Sequence, residues 1–177
     1  MAQRSPQEAK SLLFLPRHQS QRTEHRIRAD ARRSPNLGSS NDLADVAATS
    51  TSNAWAVGEL NTGASDQTLI LHWNGTKWAR VPSPSPAAGN DLTGVGTTSA
   101  SNTWAVGFTI GGSARASDTN QALILHWNGT AWKQVPAPSP GGFSSLSAMA
   151  ATSASSVWAV GRFSPTVVGQ ALAIHGC

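Results

Sequence analysis

The sequence predicts an all-β fold of short, four-stranded antiparallel sheets repeated in tandem. Three observations lead there. One motif recurs three times at a period near fifty residues, no segment shows a helical apolar period, and Asn-Gly pairs and proline clusters punctuate the chain at equivalent places. The first copy reads NDLADVAATSTSNAWAVG and then TLILHWNGTKWARVPSPSP, and the second reads NDLTGVGTTSASNTWAVG and then ALILHWNGTAWKQVPAPSP. The third reads SLSAMAATSASSVWAVG and then ALAIHGC.

The spacing inside the copies is rigid. Leu43 to Trp55, Leu92 to Trp104 and Leu146 to Trp158 are each twelve positions, and His72 to Trp78 and His126 to Trp132 are each six. Trp55 to His72 and Trp158 to His175 are seventeen, whereas Trp104 to His126 is twenty-two. Five residues are inserted in one loop of the middle copy while the rest keeps register.

Each copy supplies four strands. In the first, they fall at about 43–49, 54–58, 68–73 and 77–81. On the second strand Trp55 and Val57 share one face, and the small Ala56 and Gly58 share the other, which lets a backbone approach. The third strand is apolar on both faces, as a strand sandwiched between neighbouring sheets requires. Asn74-Gly75 is expected to supply two positive φ angles for a tight hairpin. Prolines 82, 84 and 86 follow the fourth strand and mark a sheet edge, since proline donates no ladder hydrogen bond.

Four short strands, a proline-capped edge and a fifty-residue period together describe a β-propeller blade. A β-sandwich offers no reason for near-identical motifs at a fixed period. The expected organisation is a basic disordered tail at 1–40, blade 1 at 41–89, blade 2 at 90–142 and an incomplete blade 3 at 143–177. Two complete blades and one incomplete blade do not close a ring of ~4–8. Open blade edges and faces then point to self-association, and motifs interrupted at both ends point to a piece of a longer reading frame.

Charge is divided unevenly. Residues 1–40 carry eight Lys/Arg against three acids, and residues 41–177 carry five against six, so the net +4 belongs to the tail. The tail lacks Trp and Tyr for base stacking, which argues for a solvated segment and against nucleic-acid binding. Cys177 is alone, so no intrachain disulfide can form. No run approaches the ~20 apolar residues of a membrane span. The run Leu12-Leu13-Phe14-Leu15 is shorter than the ~7–15 residues of a signal-peptide core, so no export signal is read and the compartment stays open.

The WAVG segment followed by HWNGT-x-W resembles the repeats of bacterial β-propellers related to the kelch, galactose-oxidase and photosystem-assembly-factor-like groups. The resemblance spans about 41–177 and leaves 1–33 outside it. It implies the fold, and a parent family in which extracellular or cell-surface placement is common, but no particular activity, because propellers host many unrelated functions. The chain has no Tyr, so neither the tyrosine ligands of galactose oxidase nor the tyrosine nucleophile of sialidases carries over.

Candidate sites follow from the repeat. His72, His126 and His175 hold equivalent positions, but equivalent positions on successive blades fan out, and metal bonds of ~2.0–2.1 Å require convergence. Each His is therefore expected to hydrogen-bond within its own blade, with no metal and no cofactor. The seven tryptophans (Trp55, Trp73, Trp78, Trp104, Trp127, Trp132 and Trp158) are read as the repeat core rather than as sugar-stacking platforms. Asn74-Gly75-Thr76 and Asn128-Gly129-Thr130 match a glycosylation sequon but are explained by hairpin turns. Asp66 and Asp118 lack a partner at a spacing that defines glycoside chemistry, so no catalytic residue is assigned. Binding is expected in the variable loops at 59–67, 108–121 and 162–170, with Arg115, Asp118 and Asn120 in the longest. The reading is a non-enzymatic scaffold for a protein or carbohydrate. The alternatives are part of a carbohydrate-active hydrolase or lyase whose catalytic residues lie in other blades, and a purely structural surface repeat.

Overall fold

The computed structural model describes residues 33–111, 119–166 and 168–176. They form eleven strands in three antiparallel sheets, with no helix among the described residues. Blade 1 contains β1 (Ser40–Ser50), β2 (Asn53–Asn61), β3 (Asp66–Trp73) and β4 (Trp78–Arg80). Blade 2 contains β5 (Gly89–Ser99), β6 (Asn102–Gly111), β7 (Thr119–Trp127) and β8 (Trp132–Val135), and blade 3 contains β9 (Phe143–Ser153), β10 (Ser156–Ser164) and β11 (Gln170–Gly176). Strands pair in sequence order within each sheet, and the three sheets leave the ring unclosed. These are the blades of a β-propeller.

Cross-strand register explains the fixed spacings. Trp55 pairs with His72, Trp104 with His126 and Trp158 with His175, whatever the length of the intervening loop. The innermost strand of each blade breaks register twice, once beside the turn into the second strand and once further in, at Leu43/Asp45, at Leu92/Gly94 and opposite Val160/Gly161. The glycine of each WAVG segment lies under that inner bulge. A Cβ added to Gly58, Gly107 or Gly161 would strike the carbonyl oxygen of Asp42, Asp91 or Ser145. The small residue thus admits the blade's own bulged strand, which increases local twist.

The hairpin at Asn74-Gly75 departs from the expected two positive φ angles. Gly75 has φ 94° and Gly129 has 95°, while no described non-glycine residue has positive φ. The turn is longer, since Trp73 pairs with Trp78 across four intervening residues. Asn74 contributes its side chain rather than a left-handed backbone. Its Oδ1 accepts from the amides of Thr76 and Lys77, both at 3.1 Å, and from the Thr76 hydroxyl at 2.8 Å. Asn128 repeats the arrangement with Thr130 and Ala131. An asparagine side chain that mimics a turn in this way satisfies the loop without αL geometry.

The outer strand is short, and the proline linker completes its task. β4 pairs only with Leu71, His72 and Trp73, leaving the first half of β3 without a ladder partner on that side. The Ser85 hydroxyl accepts from the Thr68 amide at 3.0 Å, and Ser139 does the same for Ala122 at 3.1 Å. Serines between the prolines therefore supply the hydrogen bonds that a longer strand would have made.

Blades join through apolar seams. Trp55, Val57 and Ile70 of blade 1 pack on Leu92, Val95 and Leu123 of blade 2, and Val106 and Ile124 of blade 2 pack on Leu146 and Ala159 of blade 3. Two polar bonds cross the seams near the innermost strands. The Val95 amide donates to Asp45 Oδ2 at 2.9 Å, and the Thr93 hydroxyl donates to the Leu146 carbonyl at 2.7 Å. The outward faces of the terminal blades show the same residue types exposed: Val46 is 61% and Trp158 49% exposed, where their equivalents Val95 and Trp55 are 4% and 1%.

Gly107→Ala should destabilise the chain by about 1–3 kcal/mol, the usual cost of overpacking against backbone. Gly142→Ala, where a Cβ meets nothing within 4 Å, should leave the urea midpoint unchanged. Equilibrium unfolding followed by tryptophan fluorescence checks both.

Candidate functional site

The two ends of the blades differ in chemistry. At the hairpin end, where β1 turns into β2, each histidine is fixed by neighbours within its own blade. His72 Nε2 bonds Asn53 Oδ1 at 2.8 Å, and Asn53 Nδ2 donates to the Thr49 hydroxyl at 2.6 Å. Blade 2 repeats this as His126, Asn102 and Thr98, at 2.7 and 2.6 Å. Blade 3 has Ser156 at the asparagine position, and among the described residues His175 has the stacking on Trp158, at 4.3 Å between ring centroids, without the asparagine bond. Burial pushes the pKa values of His72 and His126 below the ordinary 6.5. Among the described residues no group of three His, Cys, Asp or Glu side chains has metal-holding geometry.

The tryptophans divide into two kinds by what their indole N–H meets. Trp73 and Trp127 donate to the carbonyls of Thr51 and Ala100 at 3.0 and 3.1 Å, pinning the end of the third strand to the first hairpin. Trp55, Trp104 and Trp132 lie at the seams, with their Nε1 atoms buried and without an acceptor. An unsatisfied buried donor costs about 1–3 kcal/mol. Truncating a buried aromatic costs about 3–5 kcal/mol, so apolar packing prevails and the seam tolerates the lost bond. Trp78 is half-buried against Trp73 at 5.7 Å, and Trp158 lies on the outward face of blade 3.

The opposite end carries the loops after β2, β6 and β10, and it gathers the carboxylates. Asp42 and Glu59 are cross-strand partners, and Asp91 stands in blade 2 where Asp42 stands in blade 1. Glu59 has its pKa raised by burial first and then by Asp91, Asp66 and Asp42. Asp91 is raised by burial and then by Asp42 and Asp66, partly opposed by a hydrogen bond from the Leu92 amide. Opposed like charges destabilise a strand pair, so this cluster is held together by the fold and does not support it.

A cleft of about 310 Å³ lies beside this cluster, lined by residues of blade 1's loop, including Asn61, Ser65 and Asp66, and by Gly89 and Ile110 of blade 2. Its walls are pinned by two asparagines. Asn61 Nδ2 donates to Asp66 Oδ1 at 2.7 Å, and Asn61 Oδ1 accepts from the Gly63 amide at 2.7 Å. Asn90, 1% exposed, donates to the carbonyls of Asp66 and Ala87 at 2.8 and 2.7 Å. Blade 1's loop is therefore tied to the linker that opens blade 2.

Of the expected binding residues, Arg115 and Asp118 lie outside the described residues, and Asn120 sits in β7 opposite Ile110, beside the loop end. The variable loops are shorter than expected. β2 continues to Asn61 because Leu60 is buried against Leu69 and Leu71, and β7 already begins at Thr119. The carboxylate cluster was missed because its members are scattered in sequence. The available signal was the repeated Asn-Asp-Leu at 41–43 and 90–92.

Opposite pH dependences follow. His72 and His126 titrate below 6.5 in the folded chain, so the unfolded chain binds protons first as pH falls. Their stabilisation is complete above about 6.5 and is lost as pH drops through it toward the lower folded values. Glu59 and Asp91 titrate above their ordinary 4.5 and 3.8, so their contribution is complete in acid and lost as pH rises through the raised values. His72→Gln with His126→Gln should flatten the acid-side fall in the urea midpoint. Glu59→Gln with Asp91→Asn should raise the midpoint at neutral pH and leave it unchanged in acid. Urea titrations across this range check both.

No family model matches the chain, and no curated protein matches it. Among solved structures, one titled "YCF48 bound to D1 peptide" is similar at 15% identity and a TM-score of 0.45, covering 66% of this chain. The chain spans 33% of that structure's length.

Proposed function

We propose that the chain is a non-enzymatic binding scaffold whose loop end receives a partner protein through a basic patch. The observation that carries this reading is the grouping of Asp42, Glu59, Asp66 and Asp91, with the pKa values of Glu59 and Asp91 raised. A fold that holds carboxylates against their mutual repulsion has a surface whose potential improves when a cation-bearing partner arrives. The adjacent cleft offers the Asn61 amide and the Ser65 hydroxyl for polar contacts, beside the apolar Ile110. Asn120 in β7 pairs with Ile110 of the cleft wall and would extend the same surface. A carbohydrate is the other ligand class, and it would use the hydroxyl and amide groups around Asn61 and Ser65.

A second reading, glycoside hydrolysis with its acid in this cluster, is favoured by the upward shifts of Glu59 and Asp91, since a general acid works with a raised pKa.

The test is titration of the full chain with a lysine-rich peptide, its charge-neutral counterpart and a glycan array. Binding of the basic peptide that weakens with salt and falls at least ~10-fold in Glu59→Gln with Asp91→Asn is expected. Equal affinity of the variant, or preference for the neutral peptide, would overturn the reading. Turnover of an array glycan would favour the second reading.

A further inference from the structure

The turns that join β3 to β4 and β7 to β8 use only half of their asparagine. Oδ1 of Asn74 accepts from the Thr76 amide, the Thr76 hydroxyl and the Lys77 amide, while its Nδ2 has no partner among the described residues. Asn128 is held in the same way by Thr130 and Ala131. Four other asparagines differ. Asn53, Asn61, Asn90 and Asn102 each engage both ends of the carboxamide.

Two more features separate the turn asparagines from those four. Each is followed by glycine, whereas the others are followed by Ala54, Thr62, Asp91 and Thr103. Glycine puts no side chain beside its own nitrogen, and the amides of Gly75 and Gly129 donate to no acceptor among the described residues. Residues 74–77 and 128–131 are all exposed, so water reaches both turns.

This combination suits an intramolecular reaction. The Gly75 nitrogen gives its proton to water, attacks Asn74 Cγ and forms an N–Cγ bond. Negative charge gathers on Oδ1, where three donors already stand. The Cγ–Nδ2 bond then breaks, and Nδ2 leaves as ammonia with a proton from water, an exit that takes no hydrogen bond from the turn. Water opens the five-membered imide at either carbonyl. Opening at Cγ gives aspartate, and opening at the α-carbonyl gives isoaspartate, whose backbone runs through the former side chain. Water enters, ammonia leaves, and nothing is oxidised.

The two products differ in what they do to the blade. Aspartate keeps a side-chain oxygen for the same donors and preserves the turn. Isoaspartate adds a methylene to the main chain and takes that oxygen out of its place. β4 and β8 are only three and four residues long, so a lengthened turn loosens the strand that follows it. In blade 2 the turn joins Trp127 to Trp132, whose rings lie 5.1 and 5.3 Å from Trp55 across the first seam.

We propose that Asn74 and Asn128 are sites of self-modification, at which the folded chain converts asparagine to aspartate and isoaspartate, and that isoaspartate at position 128 uncovers Trp55. The sites lie at the hairpin end of the blades and are independent of the acidic loop end.

The test incubates the full chain at neutral pH, folded and in urea, and follows it by peptide mapping with fragmentation that separates aspartate from isoaspartate. In the folded chain deamidation is expected at Asn74 and Asn128, and not at Asn53, Asn61, Asn90 or Asn102. Thr76→Val removes the hydroxyl donor, so it should slow Asn74 at least ~3-fold, with Asn128 of the same molecules as the unchanged reference. Tryptophan emission should move to longer wavelength in step with isoaspartate at position 128. Asn128→Asp, which keeps the turn, should leave the emission as it is in the unmodified chain. Reaction at the two positions in urea but not in the folded chain would overturn the proposal, since the turns would then be shields. So would an Asn74 rate that Thr76→Val leaves unchanged or raises, or isoaspartate at position 128 with no change in emission.

Discussion

The seam between blades is the constraint on which the other features depend. Each blade is a thin sheet with apolar residues on both faces, and it becomes a solid only when a neighbour covers it. Trp55 shows how much follows from that. Its ring must lie flat between two sheets, so its strand must carry small residues on the opposite face and its cross-strand neighbour must be a flat ring, His72. Burial lowers the pKa of this half-buried histidine, and Asn53 holds the ring in place by accepting at Oδ1 while its Nδ2 donates to Thr49. A motif that reads as a string of conserved-looking letters is thus one chain of mechanical requirements starting from a single indole.

Polar groups are handled by substitution rather than by longer strands. Serine hydroxyls between prolines stand in for ladder partners, asparagine side chains stand in for left-handed turns, and buried Asn90 stands in for a backbone bridge between loop and linker. Each device recurs or has an equivalent in another blade. Ser144, at the Asn90 position of blade 3, donates to the Pro140 carbonyl at 3.3 Å and so keeps a bond to the linker with a smaller side chain. The seam indoles are the exception. Three N–H groups go without partners there, and the packing they permit outweighs the loss.

What the sequence revealed and what it concealed divide along the same line. The blade and the ties of His72 and His126 to their own blades were legible because the motif recurs in register on both sides of one variable loop, whereas His175, with Ser156 in the asparagine position, lacks that tie among the described residues. The turn at Asn74 was misread because an Asn-Gly pair suits two geometries, and the choice depends on whether the side chain or the backbone caps the loop. The carboxylate cluster was illegible. Asp42 and Glu59 meet only through the pairing of β1 with β2, and Asp91 joins them only because blade 2 stacks beside blade 1. The loops were drawn too long because Leu60 and Thr109 look like loop residues until their burial is known.

The five-residue insertion in the middle copy has a consequence for how such chains diversify. Trp104 still faces His126, just as Trp55 faces His72 across a shorter connection. Length at that end is therefore invisible to the seam. A lineage can lengthen, shorten or exchange these connections without renegotiating the framework, and each blade can drift separately. Length variation between the copies is confined to the rim, while the inner motif keeps its register. The same partition makes the rim a practical place to graft foreign sequences, provided that the Trp and His which flank each connection are left opposite one another.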